Sequence, residues 1–357
     1  MVQWNTPLQL SNGVSLKNRL MMAPMTTDDG TDFGALSQED YQFILKRARG
    51  FGAVVIGSHS VSEKGAAFEK GWNAYGIDSQ KALTRLVGAL HALDVKVILQ
   101  IYHAGRMAQP AFIHNEQPIG PSRIPALRPF ASYPREMTHA EILEVIADFS
   151  AATEFADACG CDGVEIHGAN TYLIQQFYSP HSNRRKDVWG EKMYLPLKVV
   201  EAVLAAAKKR NLIVGYRFSP EELEEPGIRL EDTHRLLAAL DAYALDYVHV
   251  SLNDYRKQTL EGGNILAQLA TKHPLVTCGR IQTREDVKGA LAYGELVSVG
   301  SAVVIDPDWA MKIQTGNDAH IHHTFHSHDR IANAIPPRLW QSLNSSAVRY
   351  FGKGERE

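Results

Sequence analysis

Three side chains at the end of one apolar segment could together polarise and protonate a conjugated double bond. In the stretch Asp162-Gly-Val-Glu-Ile-His167-Gly-Ala-Asn170-Thr-Tyr172, His167 and Asn170 stand three apart and Tyr172 follows two later. A neutral imidazole and a carboxamide can both donate to one carbonyl oxygen and so draw charge out of an adjacent C=C. A phenol can then deliver a proton. Taken singly each residue has a plain alternative: a satisfied core histidine, a turn asparagine, a packing tyrosine.

A second signal is the cation in Ile213-Val-Gly-Tyr-Arg217-Phe218, an otherwise apolar run. Burying an unpaired guanidinium is costly, so Arg217 requires an anionic partner. That partner is either a core carboxylate, as in an ordinary structural ion pair, or an electron-rich ligand such as the N1/O2 edge of a flavin ring. A third signal lies near the C-terminus, where Gly279-Arg280 and Gly300-Ser301 each follow a short apolar run. Unshielded backbone N–H groups beside a guanidinium suit a phosphate, although one glycine at a strand end is often only a turn.

The elements that must carry these residues alternate. Apolar, β-branched runs occur at 19–25, 53–58, 95–102, 162–167, 212–218, 246–251, 274–278 and 296–300. Nearly continuous runs of this kind fit parallel strands buried on both faces. Amphipathic helical patterns separate them near 37–49, 79–93, 138–159, 191–210, 231–243, 262–272, 283–292 and 307–314, with a capping-box signature at Thr138 and Glu141. Eight strands alternating with eight helices predict a closed (β/α)₈ TIM barrel over residues 1–317. An open doubly wound sheet is the alternative. Residues 104–137 form a long excursion after strand three, expected to lie over the top face, and 318–357 form a C-terminal extension. Reactive groups in such barrels sit where strands end. That adds Pro24, Met25 and Thr26 after strand one, Gly57 after strand two and Gln100 near the end of strand three.

Composition excludes several classes. With 45% hydrophobic and 22% charged residues the 357-residue chain is ordinary globular material. A net charge of −3 gives no field favouring nucleic acid or an anionic membrane. No stretch reaches the ~20 apolar residues that span a bilayer, and no signal-peptide pattern opens the chain. Cys159, Cys161 and Cys278 are too few for a disulfide framework and include no CxxC pair, so a reducing, cytoplasmic setting is expected.

The stretches LKNRLMMAPMT (16–26), QIYHAGR (100–106), DGVEIHGANTYLIQQFYSPHSNRRKDVWG (162–190), VGYRFSP (214–220) and CGRI (278–281) resemble the old yellow enzyme family, also called the NADH:flavin oxidoreductase/NADH oxidase family. They span most of the barrel in order, and the stretch around strand four is the most specific. The resemblance implies tightly but non-covalently bound FMN, reduced by NADH or NADPH. It implies hydride transfer to an electron-poor alkene, such as an enone or a related acceptor. Pro24, Met25, Thr26, Gly57, Gln100, His167 and Arg217 match the family's isoalloxazine cradle, and Gly279, Arg280, Gly300 and Ser301 its phosphate site. His167 and Asn170 match the pair that grips the acceptor oxygen, and Tyr172 the proton donor. A homo-oligomer is also possible under this reading, and Arg338 in PPRLW could reach a neighbouring subunit's site.

The family's arginine after strand eight is here Ser301. A hydroxyl still donates a hydrogen bond but carries no charge, so weaker FMN retention is expected. Ser301→Arg should tighten FMN binding in equilibrium dialysis. Two rival functions remain. A Schiff-base or metal-dependent lyase needs a lysine or a ligand cluster at strand ends, whereas Lys96 opens strand three and no cluster appears, so no metal is assigned. An FMN-binding NADH oxidase or sensor with little ene-reductase activity would share the cradle. The histidines at 320, 322, 323, 326 and 328 fit no metal spacing and are read as an exposed tail.

Overall fold

A computed structural model describes residues 3–129, 131–259, 262–325 and 329–345. Eight parallel strands form the frame: β1 (Leu20–Met22), β2 (Ala53–Ser60), β3 (Lys96–Tyr102), β4 (Gly163–Gly168), β5 (Ile213–Phe218), β6 (Tyr247–Val250), β7 (Leu275–Cys278) and β8 (Leu296–Val299). Each pairs with the next in sequence, and β8 returns to β1, so the sheet closes into the expected barrel rather than an open sheet. Its helices are α1 (Gln38–Arg47), α2 (Ile77–His91), α3 (His139–Ala158), α4 (Tyr194–Ala207), α5 (Leu230–Leu240), α6 (Ile265–Gln268), α7 (Arg284–Ala290) and α8 (Trp309–Thr315).

Local chemistry accounts for the boundaries. Thr138 caps α3 as its spacing predicts: its Oγ accepts from the Glu141 amide at 3.3 Å, while Glu141 accepts from the Thr138 amide at 2.9 Å. β1 is shorter than the apolar run 19–25 because Pro24 has no N–H for the ladder. α6 is a single turn where 262–272 read as a full helix. Gly262 and Gly263 take left-handed φ values of +94° and +84°, Asn264 caps the turn, and the chain is extended again at Leu269.

The barrel interior changes character along its axis. At the amino end Met21, Ala53, Val55, Ile98, Ile213, Val276 and Leu296 form an apolar plug with Leu10 and Leu16. Those two leucines come from a small hairpin, Leu8–Gln9 against Ser15–Leu16, turned at Asn12-Gly13. Toward the carboxyl end the lining is polar, with Gln100, Glu165 and His249 all fully or nearly fully buried. A larger apolar cluster fills the space between strands and helices.

The excursion after β3 packs close to the end of that strand. Ala108 and Ile113 pack with Tyr102 and Ala104, against Phe68, Met107 and Tyr172. Arg106 fastens it: its buried guanidinium pairs with Glu224 at 3.0 Å and donates to the Pro125 carbonyl at 3.1 Å. The described part of the C-terminal extension is anchored rather than loose. Ile321, Phe325, Trp340 and Leu343 are buried in the main core, and Arg47 donates to the Asn333 carbonyl at 2.7 Å. His320, His322 and His323 are exposed, whereas His326 and His328 lie outside the described residues. Among the described residues there is no metal-competent cluster, and no helix is long and apolar enough to cross a membrane.

Candidate active site

β4 and β5 run in register with His167 beside Arg217, so the two strongest sequence signals are neighbours. His167 is 4% exposed, and its Nδ1 accepts from the Ala169 amide at 3.2 Å. The ring hydrogen of the neutral imidazole therefore sits on Nε2. Burial, helped by the positive charge of Arg217, pushes its pKa down to about 3. At neutral pH His167 is an uncharged hydrogen-bond donor.

Asn170 adopts a left-handed φ of 57° just beyond β4, and its amide donates to Ser219 Oγ at 3.0 Å. A hydroxyl links it to Arg217: Arg217 Nη2 donates to Ser251 Oγ, which donates to Asn170 Oδ1, each at 3.3 Å. With its oxygen engaged, Asn170 presents NH₂ as a donor. The Tyr172 ring stands edge-on to His167, with centroids 4.9 Å apart, and lies 4.9 Å from Tyr102. Burial lifts the Tyr172 phenol to about 12 against the pull of Arg128 and Arg217, so it stays protonated.

Beneath this trio lies a network that the sequence reading passed over. Glu165 accepts from Gln100 Nε2 at 2.7 Å, from the Tyr247 hydroxyl at 2.9 Å and from His249 Nδ1 at 2.8 Å. Burial alone would raise its carboxyl, but His249 and Arg217 hold it well below the ordinary range. His249 is raised in turn, the attraction of Glu165 outweighing its desolvation. The charge facing Arg217 inside the protein is thus Glu165. Yet Arg217 Nε is buried with no hydrogen-bond partner among the described residues, which leaves a donor for a ligand. The same rule that singled out Arg217, an ionisable group in a buried strand, would have found Glu165 and His249.

Gly57 sits where Pro24 and Gln100 converge: a Cβ there would lie 2.7 Å from Gln100 Cβ and Oε1 and 2.9 Å from Pro24 Cβ. Thr26 Oγ1 accepts from the Ser58 amide at 3.3 Å. At the far side, β7 and β8 pair directly, so the Gly279-Arg280 and Gly300-Ser301 turns leave neighbouring strands. Gly279 has φ +104°, and a Cβ would lie 2.6 Å from the Asp254 nitrogen, so close backbone packing alone demands glycine. Arg280 is 70% exposed, 3.7 Å from Asp254. Gly300 is less crowded, with Ala23 Cβ and Met25 Sδ nearest to an added Cβ at 3.5 and 3.8 Å, and Ser301 opens the short helix Ser301–Ile305. Within this chain the amides of Arg338 and Leu339 donate to Asp29, and the Arg338 guanidinium pairs with Asp28 at 3.2 Å and with Glu69.

Both the sequence and the fold of this barrel match known proteins. A profile of the NADH:flavin oxidoreductase / NADH oxidase family matches residues 5–319, and the chain belongs to that family, whose cofactor is FMN. It is 40% identical to the NADH:acrylate oxidoreductase of Vibrio harveyi, over 98% of this chain and 36% of that protein. The NADH:fumarate oxidoreductase of Klebsiella pneumoniae is 38% identical, over 98% and 40%. The chain thus spans well under half the length of these two relatives. A probable NADH-dependent flavin oxidoreductase of Bacillus subtilis is 33% identical over 94% of both chains. Morphinone reductase in complex with tetrahydroNAD shares the fold, with a TM-score of 0.80 at 23% identity over 94% of this chain and 97% of that one.

FMN fits the residues present. The orphaned Arg217 Nε would supply a donor to an electron-rich ring edge, and a Cβ at Gly57 would push aside Gln100, which would line the same space. Overpacking by one methyl costs about 1–3 kcal/mol. Gly57→Ala is therefore expected to lower FMN affinity by about tenfold, measured by fluorescence titration of the apoprotein.

Proposed function

We propose that the chain is an NAD(P)H-dependent ene-reductase that saturates an electron-poor C=C. His167 Nε2 and the Asn170 NH₂ grip the activating oxygen of the acceptor, and Tyr172 protonates the α-carbon. Pro24, Met25, Thr26, Gly57, Gln100 and Arg217 would hold the FMN ring, with Gly279, Arg280, Gly300 and Ser301 around its phosphate. Bound there, FMN supplies the hydride taken from the nicotinamide. The observation that carries this reading is the neutral His167 donor with Tyr172 edge-on to it at 4.9 Å, beside Arg217. An oxidase or sensor needs the cradle but has no use for a positioned phenol. The names of the Vibrio and Klebsiella relatives, which specify acrylate and fumarate, agree with a conjugated acceptor.

The test is anaerobic bleaching of the FMN-loaded protein by NADH or NADPH, followed by mixing with an enone, an unsaturated acid or oxygen. Rapid reoxidation by an alkene with formation of the saturated product supports the proposal. Reoxidation by oxygen alone would place the protein with the NADH oxidases.

A further inference from the structure

Beside Tyr172 lies a cavity of about 350 Å³ between the excursion and the loop after β2. Met107, Phe112 and Phe68 give it apolar walls, and three charged residues face it: Asp28, Arg106 and Arg128. Two of those charges are already matched. Asp28 pairs with Arg338 at 3.2 Å, and Arg106 with Glu224 at 3.0 Å. Arg128 is different: it is exposed at the rim, and its guanidinium has no hydrogen bond or ion pair among the described residues. It lines the same cavity as Tyr172. The cavity therefore holds one uncompensated positive charge, on the side chain whose planar fork suits a carboxylate best.

We infer that Arg128 is a specificity-determining residue that selects acceptors with two electron-withdrawing ends: a carbonyl oxygen for His167 and Asn170, and a carboxylate for Arg128. This rests on the ene-reductase reading and names its substrate class, a short conjugated alkene bearing a distal anion. A neutral enone would fill the apolar walls but leave Arg128 with water. A rim guanidinium closed over by ligand is worth more than an exposed pair, yet it stays sensitive to salt.

The experiment compares monomethyl fumarate with dimethyl fumarate, which differ in one negative charge, in wild type, Arg128→Gln, Arg128→Lys and Arg128→Glu. The ratio of kcat/KM for the anionic over the neutral ester is expected to fall about tenfold in Arg128→Gln. It should fall further in Arg128→Glu, recover in part in Arg128→Lys, and narrow in wild type as salt rises. The phosphates of the reductant are the other anion that could meet this side chain, so flavin bleaching by NADH is timed separately. A loss confined to the NADH step, or an ester ratio equal in wild type and Arg128→Gln, would overturn the inference. If no ester reoxidises the reduced protein, the ene-reductase reading fails on its own. The Arg128 assignment is then judged by the unreactive monomethyl succinate, whose dissociation constant from the flavin spectrum should still rise about tenfold in Arg128→Gln.

Discussion

Tyr172→Phe should lower the rate at which the reduced protein transfers to an alkene by about a hundredfold or more, the usual contribution of a positioned acid. Bleaching by NADH, which consumes no proton from a phenol, should keep its order of magnitude. Stopped-flow separation of the two half-reactions measures this directly. The geometry makes the variant informative, because the ring contacts with His167 and Tyr102, both at 4.9 Å, survive loss of the hydroxyl. The pH dependence follows from the same groups. Burial raises the Tyr172 phenol to about 12, so its acid form is present below that value and is lost only as pH climbs through it. His167, lowered to about 3, is an uncharged donor at all higher pH. Transfer to the alkene should therefore be flat between about pH 5 and 9. A limb inside that window, abolished by Tyr172→Phe, would show that the phenol titrates far lower than its burial implies. Equal rates in Tyr172→Phe and wild type would remove Tyr172 from the chemistry altogether.

The barrel was legible because its strands are buried on both faces: runs such as Ala53–Ser60 carry no alternation and stand out against the amphipathic helices. The trio at the end of β4 was legible because polar groups at a strand terminus in a barrel have one place to point. What sequence could not give is pairing inside the barrel. Glu165 lies two residues before His167 and so on the same face of β4, but nothing local says that its partners come from β3 and β6, 65 to 84 residues away. Arg128 was equally hidden: it sits in a loop without periodicity, and only the folding of the excursion brings it to the cavity that Tyr172 lines. α6 is shorter than its apolar spacing predicts for the opposite reason: two left-handed glycines delay its start and the chain is extended again at Leu269. The glycine at 279 shows the limit of motif reading. Its presence follows from close packing against the β6 turn whether or not phosphate binds there.

Glu165 carries the largest expected effect on the folded state. Its carboxylate satisfies three buried donors at once, from Gln100, Tyr247 and His249. Removing one partner of a buried charge pair costs about 3–5 kcal/mol, because the other charge remains without compensation. Glu165→Gln keeps the volume but turns an acceptor into a donor facing Gln100 Nε2, so it should unfold at distinctly lower denaturant than wild type as the apoprotein. Freeing Gln100 and taking the counter-charge from Arg217 should weaken FMN binding as well. Combining Glu165→Gln with His249→Gln should cost less than the sum of the two single changes, since both sever the same pair. The pH profile tests the charges themselves. Glu165 is depressed from 4.5, so its contribution is present above that value and fades as pH falls through its lowered folded value. His249 is raised from 6.5, so its contribution is complete below that value and fades as pH rises through its raised folded value. The stability gap between wild type and Glu165→Gln should therefore be widest between these two unfolded values and narrow at alkaline pH. A gap that holds constant from pH 5.5 to well above the raised value of His249 would mean that His249 is uncharged beneath the flavin site. Arg217 would then have Glu165 to itself, and the ring edge would face a weaker net positive charge.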